Sequence, residues 1–212
     1  MAKKIGITMR IDTAAGHGKP RDSLAREWAD FMNRLCSGIP WMPLPNLGES
    51  IIDHVQQWNI DAVIFSGGND LGTEQQRDTT ENALLDYAFR RGLNVFGVCR
   101  GLQLLQQHAG GGLERCRRER HVAQTHPVHV RADLLDFNSP GQAAVNSYHN
   151  FAVPAQTLAP SLELLAASDD GCVEAVRHRA APITAVQWHP ERNADATQIE
   201  LDRQLMTKTL NL

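Results

Sequence analysis

Asn94-Val95-Phe96-Gly97-Val98-Cys99-Arg100-Gly101-Leu102-Gln103 is the stretch that decides the fold. An apolar, β-prone run stops at a cysteine. A helical pattern with Leu102, Leu104, Leu105 and Ala109 apolar begins directly after it. A strand that turns sharply into a helix holds its turn residue out at the end of a sheet, and Gly97 and Gly101 permit the tight backbone. The first N–H groups of such a helix point at the turn residue, where they favour a thiolate and can bind a developing oxyanion. Cys99 is the candidate nucleophile.

Outward from this turn the chain alternates. Upstream, residues 3–9 read as a buried strand, and residues 10–21 as a loop rich in Gly, Ala, His and Lys. Asp22 or Ser23 can cap a helix that carries Leu24, Trp28, Phe31, Met32 and Leu35 at helical spacing. Residues 39–44 suit an edge strand because of Pro40 and Pro43. A helix over 51–58, a buried strand over 61–65, a glycine-rich turn Ser66-Gly67-Gly68-Asn69-Asp70-Leu71-Gly72 and a helix over 79–91 follow. This order predicts an α/β fold, a three-layer sandwich with a mostly parallel central sheet, as one domain over residues 1–212. Ligands in such sheets bind beyond the carboxyl ends of the strands, where the Arg10 loop, the Gly67-Gly68 turn and Cys99 all fall.

Downstream the pattern changes. Gly110-Gly111-Gly112 ends the helix after Cys99, and Arg115, Arg117, Arg118 and Arg120 form a basic, looped stretch. Short strands are expected over 127–131, 143–147, 162–167 and 173–178, a buried strand over 183–188, and a closing helix over 196–210.

Composition narrows the class. The 212 residues are 42% hydrophobic and 21% charged, with a formal net charge of -3, which suits a globular protein with no nucleic-acid or membrane partner. No apolar run is long enough to span a bilayer, and the N-terminus lacks a signal-peptide pattern, so a cytoplasmic location is expected. Cys36, Cys99, Cys116 and Cys172 are scattered with no CxxC pair, as reduced thiols would be. Outside Cys99 they read as packing or surface residues.

A nucleophilic cysteine needs a base. His189 follows a buried strand, Pro190 stiffens the turn, and Glu191 can reach back to the other ring nitrogen, fixing the tautomer. Backbone N–H groups of Gly67 or Gly68 and of Arg100 can form a two-donor oxyanion hole. Gly97-Val98-Cys99-Arg100-Gly101-Leu102-Gln103, Gly67-Gly68 and His189-Pro190-Glu191 together resemble the class I glutamine amidotransferase superfamily, over nearly the whole chain and in the right order. The Cys-Arg-Gly-x-Gln form, with Asn146-Ser147-Tyr148-His149-Asn150 downstream, is more similar to its γ-glutamyl hydrolase branch. Gly6-Ile7-Thr8-x-Arg10, Pro45-Asn46 and Gly67-Gly68-Asn69-Asp70-Leu71 are most similar to the γ-glutamyl-CDP-amidate hydrolases, which serve phosphoramidate modification of bacterial surface polysaccharides.

The resemblance implies a Cys99, His189, Glu191 triad, with Gln103 holding the γ-glutamyl group and Ser147, Tyr148 and His149 contacting its α-carboxylate or amine. Gly67, Asn69, Asp70 and Arg10 complete the expected substrate contacts. Asp70 can equally serve only as an Asx turn. Arg10, Arg21 and the arginines at 115–120 would supply cationic contacts to a nucleotide diphosphate. The expected ligand is a small γ-glutamyl compound, with a homodimer as an open option. No cofactor is expected. His121, His126 and His129 match no common zinc spacing and no cysteine joins them, so no metal is expected either. The rival readings are a glutaminase subunit feeding ammonia to a synthetase, a polyamine- or folate-type γ-glutamyl hydrolase, and a redox-sensing cysteine protein.

Overall fold

The computed structural model describes residues 3–13, 18–35, 37–131 and 141–212. Cys36 and part of the loop predicted after the first strand lie outside the described residues. The elements in chain order are β1 (Ile5–Thr8), β2 (Arg10–Thr13), β3 (Pro20–Ser23), α1 (Glu27–Leu35), β4 (Trp41–Leu44), α2 (Ile51–Gln57), β5 (Ala62–Phe65), α3 (Gln75–Arg91), β6 (Asn94–Val98) and α4 (Arg100–His108). Then come β7 (Glu114–Arg115), α5 (Arg118–His121), β8 (Val122–Val130), β9 (Gln142–Tyr148), β10 (Phe151–Ala152), β11 (Leu162–Ser168), β12 (Val173–His178), β13 (Ile183–Val186) and α6 (Ala196–Leu210).

Among the described residues the main sheet has nine strands in the order β4-β1-β5-β6-β13-β12-β11-β8-β9. The five strands from β4 to β13 run parallel. The four that continue through β12, β11, β8 and β9 are joined antiparallel. The sheet is therefore mixed, with the parallel part expected from the alternating first half forming one side, out to the β4 edge. Alternate residues of the parallel strands feed two cores. Ile5, Ile7, Ile64, Phe96 and Val98 pack with Trp28, Phe31 and Met32 of α1 and Leu205, Met206 and Leu210 of α6. Val63, Phe65 and Val95 pack on the other face with Ile51 and Val55 of α2, Leu84 and Leu85 of α3, and Leu102, Leu104 and Leu105 of α4. Each such buried side chain stabilises the fold by roughly 1.5–3 kcal/mol. The result is three layers, helix, sheet, helix.

Two local expectations are corrected. Residues 10–13 and 20–23 are not loop but the two strands of an antiparallel hairpin, β2 with β3. Asp22 and Ser23 consequently do not cap α1, which starts at Glu27. The Asp22 carboxylate instead accepts hydrogen bonds from the backbone N–H and side-chain amide of Asn46. The arginine stretch likewise contains β7 and the short helix α5. None of the helices among the described residues is long and apolar enough to cross a membrane.

Candidate active site

β5, β6 and β13 end side by side, and the three sequence signals sit at those ends. Cys99 occupies the turn between β6 and α4 at φ 52, ψ -97, a region that costs a side-chain-bearing residue about 1–3 kcal/mol. Hydrogen bonds on both sides hold it there. Its N–H donates to Val186 O at 2.7 Å, and its carbonyl accepts from Leu102 and Gln103 of α4. The two glycines are sterically required. A Cβ on Gly101 would stand 2.8 Å from Phe65 O, and one on Gly97 would stand 2.8 Å from the Ala185 Cβ. The helix can thus approach the sheet closely enough to aim its N-terminus at Cys99. As the first residue of α4, Arg100 has no acceptor for its N–H within the helix.

His189 lies just past β13 and is 4% exposed. Its ring faces Cys99 on one side. On the other side Nδ1 lies 2.7 Å from the buried Glu191 carboxylate. Burial pulls the imidazolium down, but the charges of Glu191 and Cys99 outweigh it and raise its pKa from 6.5 to about 10. His189 is thus held as an imidazolium at neutral pH. Asn146 of β9 clamps the His189 backbone from both ends, accepting from its N–H at 2.9 Å and donating to its carbonyl at 2.8 Å. Tyr148 stands edge-on to the imidazole at 5.8 Å between centroids, with the Arg192 guanidinium over its own ring.

The glycine turn after β5 closes the other side. A Cβ on Gly67 would fall 2.6 Å from His189 Cε1, so only glycine leaves room for the ring. Gly68 has φ +124 and packs against Arg10 and Arg77. Arg77, buried on α3, donates to the carbonyls of Ser66 at 2.8 Å and Gly67 at 3.1 Å. In a trans peptide that hold turns the Gly68 N–H away from α3. The guanidinium is balanced by Glu81, which also accepts from Thr8 at 2.8 Å and from the Arg100 side chain. Arg100 pairs with Asp78 as well. Its guanidinium is therefore buried beneath the nucleophile, tying α4 to α3, and faces no substrate. Burial pushes the Arg77 pKa down.

Several residues assigned to substrate binding have other partners here. Gln103 is buried and donates to Phe151 O at 2.9 Å. Ser147 is buried with its hydroxyl on His121 O, and His149 is buried with Nδ1 on Phe151 O. Asn69 pairs with both backbone groups of Ile11. Asp70 accepts from Asn150 at 3.3 Å, Tyr148 is exposed, and Arg10 pairs with Asp12 beside Gly68. Arg118 donates to Asn150, and Arg115 stacks on Phe151. His129 is exposed and bonds Asp169, away from His121 and His126. Sequence reasoning missed Arg77, Glu81 and the clamp of Asn146. Their signal is polarity at a buried position, which one sequence does not display.

The sequence model of the Peptidase C26 family matches residues 4–191. The chain belongs to the Peptidase C26 family. Among its C26 relatives is the γ-glutamyl-CDP-amidate hydrolase of Campylobacter jejuni, 29% identical over 205 residues, covering 93% of this chain and 94% of that one. Anthranilate synthase component 2 of Pseudomonas putida is 34% identical over 151 residues, covering 68% of this chain and 72% of its own. A solved structure from Thermoplasma acidophilum, described as a GMP synthase component, superposes with a TM-score of 0.72 at 19% identity, covering 100% of this chain and 96% of that one. This likeness shows the α/β fold. The C26 match and the hydrolase relative give the chain a function of the γ-glutamyl hydrolase and amidotransferase type.

Proposed function

We propose that this C26 chain is a cysteine hydrolase that cleaves a γ-glutamyl amide or phosphoramide bond through a γ-glutamyl thioester. The observation that carries the reading is the elbow cysteine at φ 52 beside a histidine whose far nitrogen lies 2.7 Å from a buried glutamate. The Cys99 thiolate attacks the γ-carbonyl carbon and forms the C–S bond. The N–H groups of Gly68 and Arg100 receive the oxyanion. As the intermediate collapses, the C–N bond breaks and the His189 imidazolium gives its proton to the leaving nitrogen. Neutral His189 then takes a proton from water. The hydroxide adds to the thioester, the C–S bond breaks, glutamate departs and the thiolate is restored. Glu191 keeps the imidazole oriented throughout.

The substrate we propose is γ-glutamyl-CDP-amidate, used in phosphoramidate modification of surface polysaccharide. Support comes from the full-length likeness to the Campylobacter jejuni hydrolase. Cations also surround the mouth. Arg10 stands beside Gly68 and Arg192 beside Tyr148, and Arg118 is held at Asn150. A groove of about 740 Å³ runs from Tyr148 and Arg192 toward Gln198, a size suited to a nucleotide. Glutamate release from γ-glutamyl-CDP-amidate, a γ-glutamyl polyamine, folyl-polyglutamate and glutamine is the test. The CDP-linked compound should have the highest kcat/KM, and preference for any other member removes this substrate. Likeness to the anthranilate synthase component favours a second reading, a glutaminase subunit. Glutamine hydrolysis that rises sharply with a synthetase would select it.

A further inference from the structure

A second constellation lies away from the nucleophile, between α5, β8, the end of β9 and β12. Glu174 on β12 is fully buried, and neither carboxylate oxygen has a hydrogen-bond partner among the described residues. Three histidine nitrogens face its Oε1: His126 Nε2 at 3.6 Å, His149 Nε2 at 3.9 Å and His121 Nδ1 at 4.0 Å. All three nitrogens are also buried without a hydrogen-bond partner. Five unpaired polar atoms meeting in one interior spot are costly unless something is bound between them.

The opposite nitrogen of each ring shows what that is. His149 Nδ1 lies 2.9 Å from Phe151 O, His121 Nε2 lies 3.0 Å from the Asp170 carboxylate, and His126 Nδ1 lies 3.2 Å from Pro127 O. Each contact is to an acceptor oxygen, so that nitrogen carries the proton. In a neutral ring the lone pair is then on the nitrogen that faces Glu174. Asp170 is itself held by Ser168 at 2.6 Å. Carbonyl or carboxylate behind imidazole, with the lone pair forward, is the outer shell of a metal-bound histidine.

We propose that His121, His126, His149 and Glu174 bind one divalent transition-metal ion, zinc foremost. The donor atoms of His121, His126 and Glu174 all lie within 4.8 Å of one another, and His149 faces the same carboxylate oxygen. A tetrahedral zinc ion needs donor atoms about 3.4 Å apart, so the carboxylate edges at 3.6, 3.9 and 4.0 Å close by a few tenths of an ångström and the histidine nitrogens draw further toward one another. Three imidazoles and one carboxylate suit zinc and its neighbours better than magnesium or calcium, which prefer all-oxygen shells. A cleft of about 230 Å³ lined by His121, His126, Asp169 and Asp170 provides an acidic way in. The ion would pin three strands and a short helix beside the catalytic groups. His121 O holds Ser147 and His149, next to Asn146, and the Glu174 carbonyl accepts from Gln187, whose side chain reaches Cys99 Sγ at 3.6 Å.

The test uses tag-free full-length chain, stripped with chelator, reloaded with zinc or cobalt and desalted. About one metal per chain should be retained. Cobalt should show the intense visible bands of a four-coordinate site, and zinc should raise Tm by about 5 °C or more. Cys99→Ala should retain the metal, His129→Ala should retain it, and His126→Ala and Glu174→Gln should lose it. The His126 ring is only partly buried, so that variant remains readable if Glu174→Gln does not fold. No retained metal in the wild type, full retention in His126→Ala, or loss in Cys99→Ala would each overturn the proposal. Any of these leaves the γ-glutamyl reading standing, because its reacting groups, Cys99, His189 and Glu191, are not among the four ligands.

Discussion

At the scale of single residues, catalysis rests on few atoms. Replacing Cys99 removes the attacking sulfur while its backbone hydrogen bonds to Val186 and α4 stay. Cys99→Ala should lower kcat about 10⁴-fold or more, measured as glutamate release, with Tm no lower than the parent. Relief of the side chain from φ 52 is not complete with alanine, so no large gain in Tm is expected. Gly67→Ala is a sharper probe. Its Cβ would meet His189 Cε1 at 2.6 Å, so the imidazole must move while the turn stays folded. Activity should fall about 10²-fold or more with only a small change in Tm, because an ångström of misplacement is enough. Cys99, His189 and Glu191 were marked by their places just past buried strands, and the fold brings His189 and Glu191 together as that placement expects. Arg100 was legible only for its N–H. Its side chain goes under the turn to Glu81 and Asp78, and a neighbour in sequence says nothing about which way a long side chain runs.

At the scale of elements, α3 supports the catalytic turn through buried charge. Arg77 and Arg100 converge on Glu81, all three essentially without exposure. Glu81→Gln would leave two buried guanidinium groups short of an anion. Chemical denaturation should show a loss of about 3–5 kcal/mol, far more than a surface pair would cost. A change within about 0.5 kcal/mol would contradict this role. The helices α1 and α4 were legible because their apolar periods are strong, and α6 at Ala196–Leu210 and β6 at Asn94–Val98 also fall where they were expected. The hairpin of β2 and β3 was not. Pro20, Arg21 and Asp22 are all exposed, so no alternation marks the strand, and Asp22 looks like a cap until Asn46 is brought to it. Glu174 was hidden for a related reason. Glu174 is a lone charge in the apolar run Val173-Glu174-Ala175-Val176, yet all four residues are buried, and the histidines of the antiparallel half cover the carboxylate.

At the scale of the whole molecule, the active site and the stability of the fold are linked through protons. The His189 pKa is raised from 6.5 to about 10 in the folded chain, so folding favours its protonated form. The stability this contributes is complete below pH 6.5 and is lost as pH rises through about 10. Tm should therefore decline across that window. The decline should be smaller in Glu191→Gln, which lacks the carboxylate that raises the imidazole. Equal declines in the two proteins would place the titration elsewhere. In the function we propose, the layers of the molecule, from the elbow to the mixed sheet, bring one sulfur to one γ-carbonyl. The most direct measurement is intact-mass and peptide-mass spectrometry of a rapidly acid-quenched reaction with γ-glutamyl-CDP-amidate. The account predicts a γ-glutamyl adduct on the peptide containing Cys99, absent from Cys99→Ala, which releases no glutamate. Glutamate release that continues in Cys99→Ala, or an adduct carried by another residue, would contradict it.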